Sequence, residues 1–231
     1  MVSAGKIARM LHAVLYALGD SINALLIGIL VAIGIMLPRG KYRKIATLVV
    51  VGDWFGVLVA STVVLFFLLG VRDQIQALLE SPIAGIVLII VGIALGIMAW
   101  RSRGESNGLI RKLLVPLQEP SFTTALVGFV MGVIQSLTSV PFYYGLMFLA
   151  ATDLSQPMQY VGLLLYATLA LSLPTIVGLF IALVRAKPES KAGQLFLAAR
   201  RNSTQVALVG GYAVAVFLVV MGIASLATLP G

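Results

Sequence analysis

The stretch Ala17-Leu18-Gly19-Asp20-Ser21-Ile22-Asn23-Ala24-Leu25-Leu26-Ile27-Gly28 sets a carboxylate, a hydroxyl and an amide in the middle of an apolar run from Met10 to Leu37. Such a run is long enough to cross a bilayer, which takes about 20 residues of α-helix. At ~1.5 Å per residue from Met10, Asp20 falls roughly 15 Å down, near the bilayer centre. A carboxylate there costs roughly 2.5–3.5 kcal/mol even on lenient insertion scales, so such groups face a bundle interior and serve transport, proton movement or a structural partner. No Lys or Arg lies in the helix cores around Asp20 or around the second embedded acid, Asp53. A transport pathway is the leading expectation.

Working outward, the whole chain reads as an all-α integral membrane protein. Of its 231 residues 60% are hydrophobic and 10% charged, and the mean hydropathy is +1.07. A soluble domain of this length needs far more polar surface. The apolar stretches lack the period-two alternation of a transmembrane barrel. Six transmembrane helices are predicted, at about Met10–Leu37, Ile45–Val71, Pro82–Trp100, Phe122–Ala151, Gln159–Val184 and Thr204–Thr228. Pro38-Arg39-Gly40 ends the first as a turn, and Ser81-Pro82 opens the third with a cap and a first-position proline. The fourth is too long for one straight crossing and carries Pro141, so a kink or break is expected there.

Basic residues set the orientation. The first loop holds Arg39, Lys41, Arg43 and Lys44, the third Arg101, Arg103, Arg111 and Lys112, and the fifth Arg185, Lys187, Lys191, Arg200 and Arg201. The second has only Arg72 and the fourth none, so 13 of the 16 basic residues lie on one side. Those loops are predicted to be cytoplasmic and both termini to lie outside, despite Lys6 and Arg9. The expected location is the cell's inner (plasma) membrane, multi-pass, with no cleavable signal peptide. The fifth loop, with Leu195, Phe196 and Leu197 beside Arg200 and Arg201, reads either as an amphipathic helix on the anionic leaflet or as the start of the sixth span.

Three spans per half is an odd number, so two related halves sit inverted across the membrane. The expected organisation is two inverted three-helix repeats, 1–100 and 122–231, joined by a cytoplasmic linker at 101–121. Aligned without gaps, Gly19–Gly28 matches Ser136–Gly145, with Ser21 on Thr138 and Gly28 on Gly145. Both segments interrupt an apolar helix near mid-depth. A cavity between the halves is therefore expected, lined by Asp20, Asn23, Gln135, Ser136, Thr138 and Ser139, with Pro141 at the break. Ordinary helix packing through small polar residues is the competing reading.

Two further groups belong to the candidate pathway. His12, Tyr16 and Asp20 are spaced i, i+4, i+8, with Asn23 three residues on, which puts a polar stripe on one broad helix face. His12 also fits an interfacial residue, and Tyr16 a packing aromatic. Asp53 in Gly52-Asp53-Trp54-Phe55-Gly56 either lines the pathway or hydrogen-bonds to the first span, its glycines allowing close helix approach.

Composition also excludes. With 0 Cys there is no disulfide, thiol relay or thiolate metal site, and one His rules out a His-rich metal site. No nucleophile–base pair, metal set or cofactor motif marks an enzyme, so no catalytic residues, metal or cofactor are expected. The net charge of +8 is explained by topology, so nucleic acid is not an expected partner.

A six-span chain with Ala17-Leu18-Gly19-Asp20-Ser21-Ile22-Asn23-Ala24 in its first span resembles the glycolipid-addressing proteins of actinobacteria, grouped with the LysE exporter superfamily. The ending is also similar: a basic loop from Arg185 to Arg201, then Val209-Gly210-Gly211-Tyr212 and Met221-Gly222-Ile223-Ala224-Ser225-Leu226. Ala24 stands where those proteins carry the proline of an Asn-Pro break. The resemblance implies a membrane transporter or flippase that aids export of a lipid or lipid-linked glycan. Its partners would be membrane lipids and the glycolipid substrate, with a larger lipid-export machine or a second copy of the chain as possible companions. Superfamily relatives export amino acids and cations, often driven by proton motive force, so a small-solute exporter is the alternative. A non-transporting accessory subunit of a lipid-export complex is another. Proton coupling falls on Asp20 in the first reading.

Overall fold

In the computed structural model, residues 4–37, 40–79, 81–102, 115–152, 154–186, 189–191, 193–194 and 203–227 are described. Among them the ordered elements are helices and a 3₁₀ turn at Val115–Gln118, with no strand. The helices are α1 (Ala4–Asp20), α2 (Ala24–Met36), α3 (Tyr42–Gly70), α4 (Arg72–Leu79), α5 (Pro82–Ser102), α6 (Phe122–Thr138), α7 (Val140–Ala151), α8 (Gln156–Ala170), α9 (Ser172–Ala186) and α10 (Ser203–Ala227). Most of the linker and of the fifth loop lies outside the described residues, including Leu195, Phe196, Leu197, Arg200 and Arg201.

One helix, α3, is by itself long and apolar enough to cross a membrane. Up to five crossings result if each bent pair is one span: α1 with α2 (42°), α4 with α5 (69°), α6 with α7 (76°) and α8 with α9 (44°). The stretch Ala215–Ala227 of α10 is a further, shorter apolar helix. Large apolar side chains such as Phe66, Phe67, Ile90, Leu165 and Leu183 point outward. That is far more exposed apolar surface than a soluble monomer leaves uncovered, and it is compatible with a membrane protein.

Three of these bends have a local cause. In the α6–α7 pair, Pro141 has no N–H, so the Leu137 carbonyl loses its partner four residues on. The helix breaks two residues before the proline, at Ser139, which is extended (φ −93°, ψ 121°) and restarts α7 as its N-cap. The Tyr143 hydroxyl then donates to the Leu137 carbonyl at 3.0 Å, replacing the missing amide. Pro141 therefore sits inside the first turn of α7 rather than at the break itself, the position where a missing N–H costs least. Pro174 does the same to α8–α9 by depriving the Ala170 carbonyl, and the chain turns at Leu171. From the sequence this span is placed only at about Gln159–Val184, with no break expected. The α1–α2 break has no proline. There Ser21 donates its hydroxyl to the Leu18 carbonyl at 2.6 Å, and the Asn23 side chain accepts from the Leu26 amide at 2.9 Å, ending one helix and capping the next.

Two helix pairs dominate the packing. In α3 and α6, Gly52 and Gly56 face Ala125, Phe129 and Gly132, while Gly128 and Gly132 face the Val49 and Asp53 backbones. The contacts advance together along both chains, so the two helices run parallel and their backbones nearly touch. In α5 and α10, Gly85 meets Gly222 and Gly92 meets Ala215 and Val219, so these helices run antiparallel. The main core gathers Leu26, Ile29, Leu30 and Ile33 of α2, Ile45 and Val49 of α3, Phe142 and Leu146 of α7, and Leu163 of α8. The second helices of the α1–α2 and α6–α7 pairs thus lie in the interior.

Both of those interior helices have their C-terminal carbonyls held by an arginine. Arg9 Nη1 donates to the Ala151 carbonyl of α7 at 2.6 Å. Arg185 donates to the Gly34 carbonyl and, at 2.6 Å, to the Leu37 carbonyl after α2, with its guanidinium 5.3 Å from the Tyr42 ring centroid. A cation at a helix C-terminus meets the negative end of the dipole. Charged hydrogen bonds contribute about 1.5–3 kcal/mol. Arg185→Gln is therefore expected to lower the detergent-unfolding free energy by roughly that amount. Unchanged unfolding of purified Arg185→Gln would show that the pairing adds nothing.

Candidate functional site

The broken helices α1–α2, α6–α7 and α8–α9 all break beside one cavity of about 250 Å³. Its wall holds Asp20, Asn23, Gln135, Ser136, Thr138, Ser139 and Pro141, closed by Gly19, Ile22, Leu25, Val57, Val140, Ala170 and Leu171. Asp20 is the one ionisable residue of that lining. The polar residues come from the break segments because that is where side chains can face a void while their backbones leave the helical ladder.

Asp20 ends α1 and is held across the α6–α7 break. The Ser139 hydroxyl donates to its Oδ1, and the Tyr166 hydroxyl of α8 lies 3.4 Å from its Oδ2. The Tyr166 hydroxyl is equally 3.4 Å from the Pro141 carbonyl, so it is shared between carboxyl and backbone. Ser139 is also the N-cap of α7, its oxygen 3.4 Å from the Phe142 amide. One serine thus joins three things: the break in α6–α7, the start of α7 and the Asp20 carboxyl. Thr138 turns its hydroxyl back to the carbonyls of Ile134 (2.9 Å) and Gln135 (3.1 Å). Gln135 lines the cavity with both amide atoms sealed from solvent and without a hydrogen-bond partner among the described residues.

The remaining candidates lie elsewhere. His12 stacks on Phe148 with centroids 4.8 Å apart, and its Nδ1 pairs with the Ala8 carbonyl at 2.7 Å, which places the proton on that nitrogen. Tyr16 is fully buried among Tyr144, Phe148 and Phe217. Neither reaches the cavity wall, so the stripe from His12 to Asn23 is packed over by aromatic rings between Tyr16 and Asp20 rather than open. Asp53 is fully buried in α3 against Gly132 and does not line the cavity either.

No family model, no curated protein and no solved structure matches the chain. The functional reading stands on the residues and their geometry.

Tyr166, Val57, Ala170 and Leu171 belong to the site and are absent from the sequence-based set. The last two had a signal, Pro174, which frees the Ala170 carbonyl four residues earlier. Tyr166 had none, because a tyrosine in an apolar helix reads equally well as packing. Among the described residues no three His, Cys, Asp or Glu side chains gather as metal ligands. The arrangement can take up a small polar group, offer it one carboxyl and several hydroxyl and amide oxygens, and exchange a proton at Asp20.

Proposed function

We propose that the chain is a six-span secondary transporter whose site is the cavity at the helix breaks, with Asp20 as its proton-exchanging group. One observation carries this: helices from both halves are interrupted at the same place, around the only ionisable residue of the wall. Discontinuous helices around a mid-membrane site are the general device by which a transporter exposes backbone and side-chain polarity in hydrocarbon. Six spans follow if α1–α2, α3, α5, α6–α7, α8–α9 and α10 each cross once, with α4 as a surface helix before α5. Inverted repetition is supported by the matching breaks in α1–α2 and α6–α7, each restarted by a polar N-cap, Asn23 and Ser139. It is imperfect in the second members, where α3 is continuous and α8–α9 is bent.

The cargo is a small polar or cationic group. A cavity of about 250 Å³ lies below the roughly 300–1,000 Å³ of sites that enclose drug-sized ligands. It admits a small solute, or the headgroup of an amphiphile whose chains remain in the bilayer. The second form keeps the lipid export that membership of the glycolipid-addressing family would bring, and that membership is part of the proposal.

The test uses the purified chain in proteoliposomes with a trapped pH dye. Cationic solutes and short-chain fluorescent lipids are offered separately, and movement of either, accompanied by a proton signal, supports the reading. Absence of both across broad panels would leave an accessory role. Orientation is tested by single cysteines. Those at Gly40 and Ser190 should be shielded from an impermeant thiol reagent in intact cells, and one at Asp153, which lies outside the described residues, should react. The opposite pattern would invert the topology.

A further inference from the structure

Asp53 is fully buried, and neither of its carboxyl oxygens has a hydrogen-bond partner among the described residues. A charge held that way, with no cation and no donor, is the arrangement proteins avoid most strongly. Among the described residues its surroundings offer no counter-charge. Of the helices packed on α3, α6 carries no titratable residue at all. α7 brings Tyr143 and Tyr144, and α8 brings Tyr160 and Tyr166. From α9 comes Arg185, engaged on the carbonyls of Gly34 and Leu37, and α4 carries Arg72 and the exposed Asp73. Neighbouring α2 has none, and α3 itself adds Tyr42, Arg43 and Lys44 only in its first turn.

A second anomaly lies one turn away. Gly132 of α6 packs on the Asp53 backbone. One turn further along each helix stand Gln135 and Val57, which both line the cavity. The Gln135 amide is sealed, with Oε1 and Nε2 both unpartnered. No water reaches either atom in the state described here, and one water would supply both a donor and an acceptor once the wall opens to admit it. The adjoining cavity is several times the roughly 30 Å³ that a water occupies.

We propose that Asp53 is a second proton-carrying site, which exchanges its proton with Asp20 through water admitted at the Gln135 amide when the wall there opens. This rests on the reading of Asp20 as the exchanging group and adds where its proton goes. In the state described here Asp53 is the neutral acid, and Asp20, accepting from the Ser139 and Tyr166 hydroxyls, is the anion. On transfer the proton leaves an Asp53 oxygen for the water, and the water passes one to the Asp20 carboxylate. The pair keeps a single negative charge throughout. A proton fits better than a metal ion, because Asp53 and one amide oxygen are too few ligands for a bare cation. On the orientation set by the basic loops, Asp53 lies one turn to the cytoplasmic side of the cavity wall, so the pair makes a path from the cavity inward.

Infrared spectroscopy of the full chain in lipid vesicles tests this with no substrate and no transport. At neutral pH, protein labelled with ¹³C-carboxyl aspartate should show a neutral-carboxyl C=O band shifted by the label. Asp20→Asn should keep that band and Asp53→Asn should lose it. If Asp53→Asn does not fold, Asp53→Glu replaces it, and the band should become insensitive to the aspartate label. Absence of an aspartate-derived neutral band, or a band lost with Asp20 and kept without Asp53, overturns the assignment. For the water path, Gln135→Leu should keep the band and slow its hydrogen–deuterium exchange severalfold. An unchanged exchange rate overturns the relay. A chain that transports nothing can still pass these tests, and one that transports can still fail them, so the two proposals fall separately.

Discussion

Asp20→Asn is expected to leave the protein folded and to reduce pH-gradient-driven transport to the level of empty vesicles. The amide is nearly isosteric with the carboxyl and removes a charge that costs roughly 2.5–3.5 kcal/mol at mid-membrane. Its oxygen still accepts from the Ser139 hydroxyl, and its NH₂ meets the Tyr166 hydroxyl, which can turn to accept. What the amide cannot do is take up and release a proton. The measurement is uptake in proteoliposomes under an imposed gradient, with the folded fraction followed by size-exclusion elution. Wild-type rates from a folded Asp20→Asn protein would remove the proton-exchange role and leave Asp20 a structural acceptor. Ser139→Ala separates position from charge: it removes one donor to the carboxyl and the α7 cap together, and should slow transport without abolishing it.

The largest structural effect is expected from Gly132→Val. A side chain at this position would run into the carbonyl, carbon and Cα of Asp53, which are backbone atoms and do not swing aside as a long side chain does. Overpacking a tight contact costs typically about 1–3 kcal/mol, and here it acts where the α3 and α6 backbones nearly touch. α3 and α6 must separate, which also moves Val57 and Gln135 in the cavity wall. The variant should unfold at markedly lower temperature in detergent and lose any transport with it. Gly70→Ala is the control, since a methyl there meets nothing within 4 Å. Its stability should stay within about 0.5 kcal/mol of the parent, as surface substitutions usually do. Equal stability of Gly132→Val and Gly70→Ala would mean that α3 and α6 do not pack as described.

Chain composition and hydropathy by themselves determined the helical class and the apolar character, because an apolar run longer than 20 or so residues has few other ways to satisfy its backbone. They also singled out Gly19–Asn23 and Ser136–Pro141, since polar residues deep in such runs are costly and therefore visible. The structure sets Asp20, Asn23, Gln135, Ser136, Thr138 and Ser139 around one cavity, which their shared depth in two segments already suggested.

Only the tertiary structure decided the rest. Ser139, rather than Pro141, is the residue at the break, because a proline is accommodated best just inside a helix start, and the hydroxyl before it supplies the cap. The bend at Leu171, the Tyr166 hydroxyl on Asp20 and the sealing of Asp53 against Gly132 come from neighbours far away in sequence. Periodicity identifies which face of a helix is buried but not which helix covers it. His12 and Tyr16 show this most plainly: they share a helical face with Asp20, yet Phe148, Tyr144 and Phe217 close over them, and only the packing of α1 against α7 and α10 could decide that.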